Sequence, residues 1–572
     1  MNIQFFHLLW PTEDSRETHH ARKEAIDDAF IKNLGVEHII QAICINDKYT
    51  YDTRRLLSLM CDDPQVVQYR LDVMNDFVQL PALGERLEQL LPMMHRLAND
   101  KKGIYELSAD MVRKISWQVD RLYAYSSCIQ QLHDILTGCR KSLRSEGMLR
   151  LCDEIDALVA DEIYQSLLLE LPRFREQLHN VSFVTIGINL DDTLRPAEVV
   201  FLSAEPKPYK KSTMLSRLFG AKHSDSNYQE ASFARIVQKQ DTEKALFREM
   251  GDLFEASLVP IVDQVHNYIG MQTRSLTELA FELSYYIGAS KWVRSMIGAG
   301  LPMCKPDVLD RGQRACRMVD LRDMILAMSK KESSPSVRID EQIVGNDVIF
   351  GDEGRIFILT GPNQGGKTTY TRSIGLAQLL FQAGIFVPAS AAAMSPVDRI
   401  LTHFNEDEKP DVRNGRLGEE SQRLAFVFDH ATPYSLVLLN ESFSSTSPGE
   451  GMYLAEDIIR GVMLIGCRTV FATHFHELAA KIDLLNEESI VGDARLISMV
   501  AGVEREDASP DSDAARRTYK VVPAPSQGLS YARDIARLYG ISYEQIEKKL
   551  RNRGLVRGDG DGDGREECGD YR

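Results

Sequence analysis

The segment Gly361-Pro-Asn-Gln-Gly-Gly-Lys-Thr368 follows directly on the apolar run Ile356-Phe-Ile-Leu-Thr360 and opens the helical stretch Thr369 to Ala383. A strand that ends in such a loop and continues as a helix requires an α/β layer. Its glycines let backbone N–H groups turn around an anion without Cβ obstruction, and the helix start adds its positive dipole end. In this pattern Lys367 bridges outer phosphates and the Thr368 hydroxyl is placed to ligate magnesium. Gly361, Pro362, Asn363, Gln364, Gly365, Gly366, Lys367, Thr368 and Thr369 are therefore the expected contacts of a nucleoside triphosphate with its Mg2+. The plainer reading, a strand-turn-helix corner whose glycines serve packing alone, leaves the Lys-Thr pair without a purpose.

The chain has 572 residues and 44% hydrophobic content, enough for several cores. The short apolar cluster Phe5-Phe-His-Leu-Leu-Trp10 lacks the basic lead and cleavage site of a secretion signal, and no run is long and charge-free enough to span a bilayer, so a cytoplasmic address without membrane contact is expected. The nine cysteines are scattered and never spaced Cys-x-x-Cys, which suggests neither a zinc site nor a disulfide framework. A net charge of −16 excludes a chain coated in basic residues, though a local patch can still meet nucleic acid.

From Arg22 to about Arg322 apolar residues recur at helical spacing, as in Leu83 to Leu91, Leu122 to Leu136 and Leu246 to Ile269. Val181 to Ile186 and Val199 to Leu202, separated by the polar turn Asp191 to Pro196, read as a small β-hairpin inserted among the helices. The basic stretch Lys207-Pro-Tyr-Lys-Lys211 is either a solvated loop or a nucleic-acid contact. Pro302 to Pro306 and Lys330 to Ser336 mark the passage to a second architecture. There, strand-like runs at Ile356–Leu359, Leu436–Leu439 and Thr469–Ala472 alternate with helices. Tyr531 to Leu538 and Tyr543 to Arg551 form a helix-turn-helix pattern. The tail Gly558 to Gly564 imitates a calcium loop, but position twelve is Asp570 rather than glutamate and no exit helix follows, so it reads as disorder.

A triphosphate site needs an acidic group near the metal and a group to orient water. Ser435-Leu-Val-Leu-Leu-Asn440-Glu441 ends an apolar run with Asn440 where a metal-side aspartate is usual, followed by a glutamate. Asn440 and Thr368 are the metal candidates. Glu441 is the candidate to orient or deprotonate water, and His474, in Ala472-Thr-His474, the candidate to sense the γ-phosphate.

These residues resemble the MutS-type DNA mismatch repair ATPases, which belong with the ABC-type ATPases. The likeness rests on Thr360 to Tyr370, Phe386-Val-Pro-Ala389, Val397-Asp-Arg-Ile400, Ala431 to Leu439, Thr446-Ser447 and Ala472-Thr-His-Phe-His-Glu-Leu478, in the family's order. Tyr519-Lys-Val521, Ser530-Tyr531 and Ala536 to Ile541 resemble its C-terminal dimerisation segment. Asp52 to Leu57, Pro64 to Met74 with Arg70 and Asp72, and Cys304-Lys-Pro306 resemble its core-and-lever region.

The resemblance implies an α + α/β multidomain protein. It would comprise a helical core/lever domain over 1–330 with the β insertion at about 181–204, a P-loop ABC-type ATPase domain over 331–518, a helical dimerisation segment over 519–552 and a disordered tail over 553–572. It also implies a homodimer that clamps double-stranded or branched DNA under control of ATP binding and hydrolysis; Asn440, a departure from the family's pattern that brings no negative charge to the metal, makes that hydrolysis slow in expectation. The resemblance includes no mismatch-reading N-terminal domain and no nuclease module, and so does not extend to direct mismatch recognition. Where the family has a signature serine reaching the partner subunit's nucleotide, ungapped alignment gives Gly415 and a short gap gives Leu417; either a backbone N–H takes over that contact, or Ser421 or Ser445 does, or the contact is lost. The alternative expectation is a nucleotide-gated scaffold, or an RNA- or ribosome-interacting protein, with little hydrolysis.

Overall fold

Strands buried on both faces tend to read as apolar runs; the second half of the chain is built on four such strands, one of them interrupted by Thr402 and His403. In the computed structural model, residues 7–21, 28–99, 111–179, 183–194, 196–205, 273–362, 364–405, 415–443, 446–489, 494–504, 516–525 and 540–553 are described. The chain divides into two compact units. One comprises Met1–Leu8 with Leu80–Ser284, the other Leu9–Gln79 with Tyr285–Arg572.

The first unit is helical. Pro81–Asn99, Met111–Cys139, Glu146–Ala160 and Glu162–His179 are its long described helices. Leu83, Leu87, Leu90, Leu91 and Met94 recur at three- and four-residue steps and are all buried. Ser145 and Asp161 accept backbone N–H bonds at the starts of the two later helices, satisfying donors that have no partner inside a helix. The inserted hairpin pairs β1 (Phe183–Leu190) with β2 (Pro196–Glu205) antiparallel. The helical stretch expected at Leu246 to Ile269 and the basic stretch at Lys207 to Lys211 lie outside the described residues.

The second unit holds two sheets. β3 (Asp307–Val308), β4 (Cys316–Leu321), β5 (Asn346–Phe350) and β7 (Ala391–Met394) form one, in the order β3-β7-β4-β5. β6 (Ile356–Thr360), β8 (Ile400–Phe404), β9 (Leu436–Asn440), β10 (Arg468–Ala472), β11 (Leu496–Glu504) and β12 (Arg516–Pro523) form the other, in the order β12-β11-β6-β10-β9-β8. All neighbours in the larger sheet are parallel except β11 and β12.

Every residue of β6, β8, β9 and β10 is buried. Ile356, Ile358, Val437, Leu439 and Phe471 face a core completed by Leu424 and Val427 of the helix Gly415–His430 and by Ala455, Ile459 and Val462 of the helix Pro448–Ile465. On the opposite face the helix Lys367–Gln382 crosses the sheet so closely that a Cβ on Gly375 would lie 2.7 Å from Leu438. Phe357 stacks there on Phe350 of β5, ring centroids 4.2 Å apart.

The mostly helical pattern expected as far as Arg322 gives way earlier, because β3 and β4 precede that point. β4 alternates buried and exposed residues over Cys316, Arg317, Met318, a two-residue period too short to outweigh the helical pattern before it. Tyr519 to Pro523, expected at the head of a helical segment, belong to β12, where Val521 is buried and its N–H donates to Asn346 Oδ1 at 2.8 Å. The helix expected from Thr369 begins two residues earlier, at Lys367. Of the C-terminal helix-turn-helix, the second helix is described, at Tyr543–Asn552; the first lies outside the described residues, as does the Gly558 to Gly564 tail.

Candidate functional site

The strand order sets the site. β10 lies between β6 and β9, so the residues leaving the C-terminal ends of these three strands emerge side by side, where open α/β sheets hold their ligands.

From β6 comes the glycine-rich loop. Gly361 has φ 143°, and a Cβ there would sit 2.8 Å from the Ala501 Cβ on β11. A Cβ on Gly365 would meet the Pro362 carbonyl at 2.8 Å, and Gly366 takes φ 93° as the residue capping the helix Lys367–Gln382. Side chains at these points would fill the cradle or push its backbone away. Lys367 is buried, and its Nζ donates to the carbonyls of Gly361 at 3.1 Å and Pro362 at 3.2 Å. Burial pulls its pKa below the usual lysine range, partly opposed by the nearby Glu441.

β9 ends at Asn440, whose Oδ1 accepts the Thr368 hydroxyl at 3.1 Å. Glu441 follows with φ 57°, its N–H donating to the Ala472 carbonyl at 2.8 Å. Its carboxylate lies 3.1 Å from His474 Nε2 and 4.0 Å from Lys367 Nζ. The hydrogen bond from His474 holds the Glu441 carboxyl below the usual glutamate range; burial opposes this, and Lys367 adds to it. His474 follows β10 and is half-exposed; burial lowers the pKa of the neighbouring His476.

Of the residues expected from sequence, Lys367, Thr368, Asn440, Glu441 and His474 are thus brought together at three adjacent strand ends. Pro362 and Gly365 are buried, Gln364 and Thr368 exposed, and Thr369 half-buried. Asn363 lies outside the described residues, as does Ser445. Gly415 starts the helix Gly415–His430, where Leu417 and Ser421 are exposed and the Ser421 hydroxyl is turned back onto the Leu417 carbonyl at 2.7 Å.

A cavity of about 520 Å³ runs from the loop along the start of the helix, walled by Gln364 to Tyr370, Glu441, Ile343, Val344, Asn346 and Tyr519. Sequence reasoning missed Ile343, Val344, Asn346 and Tyr519 as site residues. The one available signal was Tyr519, whose place beside Gly366 depends on β12 lying at the sheet edge. Arg372, on the same helix, pairs with the buried Asp323 through two bonds of 2.8 and 2.9 Å and so fixes the far wall.

Among the described residues no three His, Cys, Asp or Glu side chains gather to hold a metal. The neutral Thr368–Asn440 oxygen pair suits a hard cation that keeps its waters and takes most of its charge compensation from phosphate, as magnesium does. Among the described residues no helix is long and apolar enough to cross a membrane.

Two family models match the chain in sequence: the MutS2 N-terminal domain over residues 62–297 and MutS domain V over residues 357–541. The DNA mismatch repair protein MutS of Caldanaerobacter subterraneus is 32% identical over 234 residues, which is 40% of this chain and 25% of that protein. MutS of Chlorobium chlorochromatii is 33% identical over 214 residues, 36% of this chain and 24% of that protein. The DNA mismatch repair protein Msh6 of Gallus gallus is 28% identical over 260 residues, 44% of this chain and 18% of that protein. The chain thus matches about a quarter or less of the length of these relatives. The two matching regions follow one another along the chain and the second contains the glycine-rich loop, Glu441 and His474; the chain belongs to the MutS family.

Proposed function

We propose that the chain binds ATP with Mg2+ at the loop Gly361–Thr369 and hydrolyses it slowly, and that the nucleotide state governs a homodimer that clamps double-stranded or branched DNA. The observation that carries the chemical part is the approach of Glu441 to His474 at 3.1 Å and to Lys367 at 4.0 Å, at the mouth of a glycine cradle.

In this reading Lys367 exchanges the carbonyls of its own loop for phosphate oxygens, and the first turn of the helix Lys367–Gln382 adds its N–H groups. Thr368 and Asn440 hold the metal on the phosphate side; when bound, the metal neutralises phosphate charge. Glu441, kept ionised, orients and deprotonates the attacking water. His474 holds that carboxylate in place and meets charge developing on the γ-phosphate. Gln364 to Gly366 cover the phosphates, and Tyr519 with Ile343 offers an aromatic and apolar seat for the base. Asn440 brings no negative charge to the metal, which is why turnover is expected to be slow.

The domain reading is a helical region that gives way to strands at β3, an ATPase domain whose larger sheet extends through β12 (Arg516–Pro523), and a dimerisation segment over the residues that follow it, to 552. The helix Tyr543–Asn552 supports the last of these, since it has no buried residue and Tyr543, Ile546 and the preceding Ile541 are exposed. DNA is proposed as the partner because the relatives are named as DNA mismatch repair proteins.

Replacing Glu441 by alanine tests the proposal: the variant should keep ATP affinity and lose turnover, and unchanged hydrolysis would remove Glu441 from its role. The uncharged Thr368–Asn440 pair favours one second reading, a nucleotide-gated scaffold in which binding suffices. ATP binding without turnover in the unmodified chain, together with equal indifference to duplex and branched DNA, would select it.

A further inference from the structure

The turn that presents Glu441 is gripped from behind by side chains outside the loop and strand-end motifs. Between Asn440 and Phe443 the backbone passes through two non-glycine residues of positive φ, Glu441 at 57° and Phe443 at 62°. Such backbone is strained and persists only where its surroundings over-determine it. Beyond the Glu441 N–H bond to β10, two contacts do this. The Ser442 hydroxyl lies 2.7 Å from His403 Nδ1, and the Phe443 N–H donates to Glu420 Oε1 at 2.6 Å.

Both anchors are deep. His403 is 1% exposed and Glu420 4%. A carboxylate so far from water is costly unless its oxygens are engaged, and a charge-assisted bond to a peptide N–H in a low-dielectric setting is stronger than a neutral one. His403 stands on β8, opposite Leu439 of β9. Glu420 stands on the helix Gly415–His430, which Arg423 ties back to the Phe404 carbonyl at 3.4 Å. The strand end and the helix thus both hold the turn, while the Glu441 carboxylate lies against His474 and Lys367.

We infer that Glu420, together with His403, is a positioning residue for Glu441: it fixes the peptide two residues on, and with it the direction of the Glu441 carboxylate. The inference rests on the hydrolytic role proposed for Glu441. Neither residue belongs to the phosphate loop, so their loss acts on turnover and leaves nucleotide affinity in place.

The test uses the full chain with Glu420→Ala, Glu420→Gln, His403→Ala and Glu441→Gln. Three quantities are measured: affinity for a non-hydrolysable ATP analogue with magnesium, kcat, and hydrogen exchange of the peptide containing Phe443. Glu420→Ala is expected to lower kcat by roughly tenfold or more, the scale of a small misplacement at a reacting centre, with affinity within about twofold and faster exchange at Phe443. Glu420→Gln keeps an acceptor oxygen and recovers part of the loss. In a Glu441→Gln background, Glu420→Ala adds nothing further. Wild-type turnover in Glu420→Ala, beside a dead Glu441→Gln, overturns the inference. So does an equal fall of affinity and turnover that Gln does not rescue. If instead Glu441→Gln hydrolyses normally, the reading of Glu441 fails by itself; unchanged exchange at Phe443 would then overturn the grip on the turn as well, and faster exchange would uphold it.

Discussion

Asn440 sets the character of the proposed metal site. Its carbonyl oxygen takes the Thr368 hydroxyl at 3.1 Å, and an aspartate there would add a full negative charge within reach of the same cation. Asn440→Asp is therefore expected to lower the magnesium concentration needed for half-maximal turnover and to raise kcat, read from a magnesium titration of ATPase rate; identical curves would make the substitution inconsequential. Glu441 offers a pH test. Its pKa is depressed in the folded chain, first by the His474 hydrogen bond. The stabilisation that goes with this is present above the ordinary carboxylate pKa and lost as pH falls through the depressed value. Removing the imidazole lets the pKa rise, so in His474→Ala the acidic limb of the kcat/KM profile should move to higher pH. A limb at the wild-type position, with only its height reduced, would take His474 out of contact with the working carboxylate.

At the scale of elements, the β6 loop depends on its lack of side chains. Gly361→Ala forces a Cβ against Ala501 at a φ of 143°. The substitution should cost about 1–3 kcal/mol, seen as a lower melting midpoint with weaker nucleotide binding. Gly449→Ala is the control, since a Cβ there meets nothing within 4 Å, and it should leave both unchanged. The same elements show what a sequence reveals. β6, β9 and β10 were legible because continuous burial leaves continuous apolar runs. β8 was not, since Thr402 and His403 interrupt its run although both are buried, bonded to Asn33 and Ser442. The groups proposed to do chemistry were legible because phosphate binding restricts which residues can stand together. The Glu420 grip on the turn was not, because its partner is a backbone N–H that any residue supplies, 23 positions away in the chain.

For the whole molecule the account needs nucleotide, a second copy and nucleic acid. With a net charge of −16, any DNA contact must come from a local basic surface and be made to phosphates. Affinity for duplex DNA should then fall at least about tenfold between 50 and 200 mM salt, measured by fluorescence anisotropy; a flat response would remove the phosphate clamp. Beneath this lies the claim that the glycine-rich loop holds a triphosphate through Lys367. Equilibrium binding of labelled ATP with magnesium to the wild-type chain and to Lys367→Ala tests it most directly. The account predicts saturable uptake by the wild type and a loss of roughly ten- to a hundredfold in the variant, the worth of a hydrogen bond to a charged group. No uptake by the wild type, or equal uptake by both chains, would contradict it.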